Sequence, residues 1–185
     1  MLRVEALRFS RSHFKMGPIS FELKPGESLF VVGRNGAGKT SLMKLILGLL
    51  RPEEGRVLDS ADFIGQVGVS PFLFDTWNVQ SNQSYFEKLS GKSLEPEFTD
   101  RISNTRSLLI SHLSAGMRRD VELSIQLGLQ APVYLLDEAF SHLDPDRTRF
   151  FKSKLEEAKK RGTSFVYSVH DESQIFDPSA KALRL

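Results

Sequence analysis

Cysteine is absent from this chain of 185 residues. Disulfide staples, thiolate nucleophiles and thiolate metal sites are excluded with it. Long hydrophobic runs are missing as well. The nearest candidate, residues 45–50, is interrupted by Gly48 and falls far short of the ~20 apolar residues that a spanning helix needs. The opening MLRVEALRF carries a charge every few residues, with no apolar stretch and no small-residue cleavage site, so no signal peptide is expected. Charge of one sign is scarce too. Lys and Arg number 25 against 23 Asp and Glu, a net +2, which is too little to draw the chain to nucleic acid or anionic lipid by charge alone. Only four histidines occur, and none has the spacing of a metal-binding pair. Hydrophobic residues at 40% and charged residues at 26% leave an ordinary globular balance, with enough length for one domain and a sizeable core.

Short apolar runs rich in branched residues alternate with longer helical patterns. Strands are expected at 4–9, 19–23, 28–32, 63–69, 133–136, 164–169 and 181–185, and helices at 39–50, 79–89, 115–127 and 147–160. This alternation predicts an α/β fold with a mainly parallel sheet. The helix from Arg147 has clear end signals, with Asp144 to cap it, Pro145 at its first position and Gly162 just past its end. Its Lys152/Glu156 and Glu156/Lys160 pairs, four apart, belong on a solvated face. Residues 71–112 are more polar, rich in Asn, Ser and Gln, and read as a small helical insertion between core strands. No internal repeat, low-complexity tract or coiled coil is visible. The last strand finishes the chain, so no appended domain is expected.

Gly33-Arg34-Asn35-Gly36-Ala37-Gly38-Lys39-Thr40 matches G-x-x-x-x-G-K-[ST], between an apolar strand (SLFVV) and a helical pattern. Glycines let backbone N–H groups turn inward around phosphates, and the helix start beyond adds donors and partial positive charge. Lys39 can reach the β- and γ-phosphates and Thr40 can hold Mg²⁺. A second apolar run, Val133-Tyr134-Leu135-Leu136, ends in Asp137-Glu138. A buried strand would deliver both acids to the carboxyl edge of the sheet, where α/β folds bind ligands. Asp137 suits a Mg²⁺ ligand. Glu138, expected to point to the opposite face, suits a base that polarises water for attack on the γ-phosphate.

Three further elements fall in order: Leu113-Ser114-Ala115-Gly116-Met117 before the acidic strand, Ser141-His142-Leu143-Asp144 after it, and His170 closing SFVYSVHD. With the phosphate loop and LLDEA they resemble the ABC (ATP-binding cassette) ATPases over essentially the whole chain. The resemblance implies a P-loop NTPase fold of ABC type: a mainly parallel sheet, N-terminal antiparallel strands and a small helical subdomain, about 71–127, inserted in a single 1–185 domain. It implies Mg²⁺-dependent ATP hydrolysis, with Lys39, Glu138 and His170 as catalytic residues and Thr40 and Asp137 on the metal. Gly33, Asn35, Gly36, Ala37, Gly38, Lys39, Thr40 and Ser41 would surround the nucleotide. Ser114 and Gly116 would meet the γ-phosphate held by a second ATPase subunit packed head to tail, and Asp144 would link the two sites. His170 would sense the γ-phosphate, whereas His13, His112 and His142 read as ordinary histidines.

The pattern departs from the family in places. The signature is usually LSGGQ, and here Ala115 and Met117 stand in; Ala139 replaces the usual Pro after Glu138. An ungapped match over IGQVGVSPFLF puts Val69 at the position of the family's coupling glutamine, three residues after Gln66. Either Gln66 takes that role through a register shift, or water replaces the amide on the metal. The aromatic that stacks on adenine is expected to be Phe14, with His13 second, although Arg11 can occupy the aligned position. As to role, the resemblance implies a subunit powering a membrane transporter, docked on a transmembrane permease through the 71–112 insertion at the cytoplasmic face of the membrane, with no nucleic acid partner. The short chain and the LSAGM signature lean toward exporters such as those of haem or drugs. The alternative is a soluble ABC ATPase of nucleic-acid or protein-assembly processes. The lack of a coiled-coil insertion and the single cassette weigh against it.

Overall fold

The structure is a computed structural model that describes residues 1–12, 14–61 and 63–185. The elements in order are β1 (Leu2–Arg11), β2 (Phe14–Leu23), β3 (Ser28–Val32), α1 (Lys39–Ile46), β4 (Glu54–Asp59), β5 (Ile64–Val67), α2 (Val79–Ser90), α3 (Pro96–Arg101), α4 (Ala115–Gly128), β6 (Val133–Asp137), α5 (Pro145–Lys160), β7 (Ser164–Val169) and β8 (Lys181–Arg184), with short 3₁₀ turns between some of them. Two compact units result. One comprises Met1–Ser70, Pro132–Glu138 and Lys159–Leu185; the other comprises Pro71–Ala131 and Ala139–Ala158.

The first unit contains both sheets. The five-stranded sheet has the order β5-β6-β7-β3-β8, and its strand pairs are parallel. The three-stranded sheet, β2-β1-β4, is antiparallel. β3, β6 and β7 are buried along their whole length, which is why they read as continuous apolar runs. Their side chains still alternate. Leu29, Val31, Val133, Leu135 and Val166 join Leu42, Met43 and Leu45 of α1 and Leu2, Val4 and Leu7 of β1 in one aliphatic cluster. The intervening Phe30, Tyr134, Phe165 and Tyr167 form an aromatic layer, with Phe30 on Tyr167 at 4.6 Å and Tyr134 on Phe165 at 5.7 Å. This two-residue period fixes the site: Asp137 and Ser168 continue the aliphatic rows of β6 and β7, on the α1 side. In the same unit, burial pulls the Asp177 carboxyl upward, but hydrogen bonds from Lys159, Ser179 and Ser28 outweigh it and bring the group from 3.8 down to about 2. A depressed acid stabilises the fold above its ordinary value, and that contribution is lost as the pH falls toward the folded value.

The second unit is helical. Asn78 caps α2, its side chain accepting from the Ser81 amide at 2.7 Å, and Gly91 closes it in a left-handed conformation. Arg101 of α3 clasps Asp120 of α4 through two hydrogen bonds, of 2.5 and 3.0 Å, and lies over the rings of Phe150 and Phe151. Arg147 reaches the same carboxylate at 3.1 Å. Asp144 accepts from the Arg147 amide at 2.8 Å, and Pro145 opens α5, as the end signals suggested.

Some boundaries differ from those expected. β4 had no pattern to find, since its residues are almost all exposed and it is a strand only because β1 pairs with it. α3 was missed because it is six residues long, too short for a helical period. α1 stops at Ile46, four residues early, where Gly48 turns left-handed at φ +71°. β5 is four residues long and ends before Val69. On α5 the ion pairs formed at three-residue spacing are Arg149–Asp146 and Lys154–Glu157.

Candidate functional site

The loop 33–40 joins β3 to α1. The Gly33 amide donates to the Val169 carbonyl at 3.2 Å, and Ala37 to Arg34 at 3.1 Å, which closes a turn. Gly36 and Gly38 have φ of +82° and +101°, a conformation that side chains resist. A Cβ on Gly38 would also lie 2.4 Å from the Phe14 ring, so only glycine admits that ring. Gly38 caps α1 without any side-chain hydrogen bond, so the first-turn amides are left for a ligand. The result is a cleft of about 430 Å³ walled by Asn35, Gly36, Gly38, Lys39, Thr40 and Ser41, together with Phe14 and Glu138. Gly33 and Ala37 line a second cleft against the same loop, where His170 also lies.

Two of the expected residues are already engaged. Lys39 is 5% exposed, and its Nζ donates to the loop's own carbonyls, Gly33 at 2.7 Å and Arg34 at 3.3 Å. The Thr40 hydroxyl donates to Asp137 Oδ2. A hydroxyl and a carboxylate oxygen meeting beside a phosphate loop make the oxygen-only, low-count donor set that Mg²⁺ accepts when substrate and water complete its shell.

Glu138 departs from the expected geometry. A regular strand would send it to the face opposite Asp137, but its φ of +46° breaks the strand there. Its side chain instead joins the cleft wall, and Oε1 lies 3.3 Å from His170 Nε2. Left-handed backbone at a non-glycine residue costs ~1–3 kcal/mol and persists only where neighbours enforce it. One neighbour is Ser168, whose hydroxyl accepts from the Glu138 amide at 2.9 Å and donates to Asp137 Oδ1. The sequence reading passed over Ser168. Its signal was a polar residue inside an apolar strand, two places before His170. The His170 amide is held by Gln174 at 2.7 Å.

Neither candidate for the coupling glutamine lines these clefts. Val69 is 2% exposed in the aliphatic cluster. The Gln66 amide binds the Ser70 backbone twice, at 2.8 and 3.1 Å. Phe14 does line the cleft, while His13 lies outside the described residues.

In the helical unit, Ser114 is exposed and caps α4, its hydroxyl accepting from the Met117 amide at 3.2 Å. A Cβ on Gly116 would meet the His142 carbonyl oxygen at 2.7 Å, so the signature glycine is needed for backbone to pass backbone. His142 itself is left-handed at φ +66°.

Comparison with known proteins agrees with this arrangement. The family described as ABC transporter matches residues 16–141. The chain is 32% identical over 182 residues to a putative ABC transporter ATP-binding protein of Caldanaerobacter subterraneus, covering 83% of this chain and 73% of that one. It is 33% identical over 180 residues to the cytochrome c biogenesis ATP-binding export protein CcmA of Bradyrhizobium diazoefficiens, covering 91% and 89%. A solved ATP-binding subunit of an ABC transporter superposes with a TM-score of 0.85 at 22% identity, over 93% of this chain and 80% of that one, a likeness of fold. By this match and these identities the chain belongs to the ABC transporter family, as an ATP-binding, ATP-hydrolysing subunit.

Proposed function

We propose that this subunit powers export, hydrolysing Mg²⁺-ATP at the cytoplasmic face of a membrane on behalf of a transmembrane permease. The observation that carries the chemical part is the convergence of Lys39, Thr40, Asp137, Glu138 and His170 around one loop and one sheet edge. Lys39 exchanges its two carbonyl partners for β- and γ-phosphate oxygens, trading neutral acceptors for charged ones. Thr40 and Asp137 hold Mg²⁺, which when bound neutralises charge between the phosphates. Glu138 accepts the proton of the attacking water, and His170, 3.3 Å away, orients Glu138 and that water. Phe14 offers its ring to adenine.

Ser114 and Gly116 sit at an exposed helix start, so we assign them to the γ-phosphate of a second ATPase subunit bound head to tail. The export reading draws on the near full-length similarity to the cytochrome c biogenesis ATP-binding export protein. No helix among the described residues is long and apolar enough to cross a membrane, so a permease must supply the pathway. We place the permease on the insertion at 71–112. There Phe74 stacks on Trp77 and both meet Tyr85 edge to face, while each stays nearly 40% exposed, an apolar patch of the kind that protein partners cover. The test is fractionation of cells producing tagged protein. Recovery from membranes together with a polytopic partner, reduced by Trp77→Asp, is expected. A Glu138→Gln protein found only in the soluble fraction, at native level and with ATP bound, would overturn the transport role.

A further inference from the structure

β7 carries two buried serines in an otherwise apolar run. Burying a hydroxyl is costly unless it is hydrogen-bonded, so each needs a partner. Ser164 has a structural one, donating to the Lys24 carbonyl at 2.8 Å. Ser168 is spent differently. Its Cα is the register partner of Asp137, at the last rung of the β6–β7 ladder. A serine hydroxyl has one proton to give and lone pairs to receive. Here the proton goes to Asp137 Oδ1 and a lone pair receives the Glu138 amide at 2.9 Å. One side chain thus touches both acids, at the point where the chain leaves the strand with φ +46°. Thr40 holds the other oxygen of Asp137, so that carboxylate is fixed at both ends. Two residues on, along the same strand direction, His170 faces the Glu138 side chain.

We propose that Ser168 is a positioning residue of the ATPase: its hydroxyl sets the spacing between the metal-holding Asp137 and the water-activating Glu138. Backbone pairing could not do this, because the Glu138 amide has turned out of the ladder, and the next hydrogen bond must come from a side chain. Ser168 is not among the residues that wall the two clefts, and it acts through the two acids it bonds. The inference rests on the roles proposed above for Asp137 and Glu138.

The experiment compares Ser168→Ala, Ser168→Val and Ser168→Thr with the parent and with Glu138→Gln, reading kcat, KM for ATP, and the Mg²⁺ concentration for half-maximal rate. Misplacing reacting groups by about 1 Å costs ~10²-fold. Ala and Val are expected to lose roughly 10- to 100-fold in kcat, with KM within about 2-fold, and to need more Mg²⁺. Thr differs from Val only in restoring the hydroxyl and is expected to recover most of kcat. In a Glu138→Gln background, adding Ser168→Ala is expected to change kcat little, because both act on one step. Folded Ala and Val variants at parental kcat, beside an inactive Glu138→Gln, would overturn this inference alone. Thr failing as badly as Val would overturn it too, by showing a packing role. An active Glu138→Gln would remove the reading beneath it, and the inference with it.

Discussion

The starts of α1 and α4 make an instructive pair. Both are glycine-containing turns entering a helix, and both stand beside residues of the family pattern. At α1 the cap is Gly38, no side chain satisfies the first amides, and a cleft opens over them. At α4 the cap is Ser114, whose hydroxyl already takes the Met117 amide, and the turn is exposed. The first is open to a ligand and surrounded by side chains that could act on it. The second is self-satisfied, with Gly116 passing too close to the His142 carbonyl to admit a side chain. The first turn has amides that can receive a ligand; the second has its cap satisfied by its own serine.

That contrast can be broken most sharply from the α1 side. Glu138→Gln is expected to retain ATP and lose roughly 10²- to 10⁴-fold in phosphate release, because the amide cannot take the proton. Near-parental release would show that the cleft wall is not the reactive one. Lys39→Ala comes next. Removing one charged donor from the phosphates should weaken binding roughly 10- to 100-fold, from the ~1.5–3 kcal/mol of a charge-assisted hydrogen bond. Fluorescent ATP titration measures it, and unchanged affinity would mean that the loop amides suffice. On the α4 side, Gly116→Ala should cost about 1–3 kcal/mol of stability by forcing backbone apart. In a Glu138→Gln background, where ATP is expected to drive a dimer measurable by light scattering, it should also abolish that dimer while leaving ATP binding intact. A variant that dimerises normally would remove α4 from the second site. Ser114→Ala is expected to be the mildest in folding, about 1 kcal/mol for a lost cap. Calorimetry gives that figure, and a loss of several kcal/mol would show a buried role the structure does not contain.

The central strands β3, β6 and β7 and the phosphate loop were legible because both leave dense sequence marks: continuous apolar runs for strands buried on both faces, and glycines where φ is positive. The site around Glu138 was only half legible. Alternation correctly separates neighbours along a strand, and it sent Glu138 away from Asp137. At Glu138 the backbone turns left-handed, and its amide bonds to Ser168, thirty residues away in sequence and across a strand pair. The single polar residue that does this looks like any buried serine until the register of β6 and β7 is known. β4 and α3 were invisible for the opposite reason, having too little buried surface to impose a period. Gln66 shows a third kind of limit: its residue type suits a metal site, but its amide is committed to Ser70.

The grip of Lys39 on Gly33 and Arg34 makes the loop's own carbonyls competitors of a phosphate for the same ammonium. Nucleotide must displace an intramolecular ligand present at very high effective concentration, so the measured dissociation constant is the intrinsic one divided by the fraction of loops with a released lysine. The same grip gives a buried ammonium the hydrogen-bond partners that its burial requires.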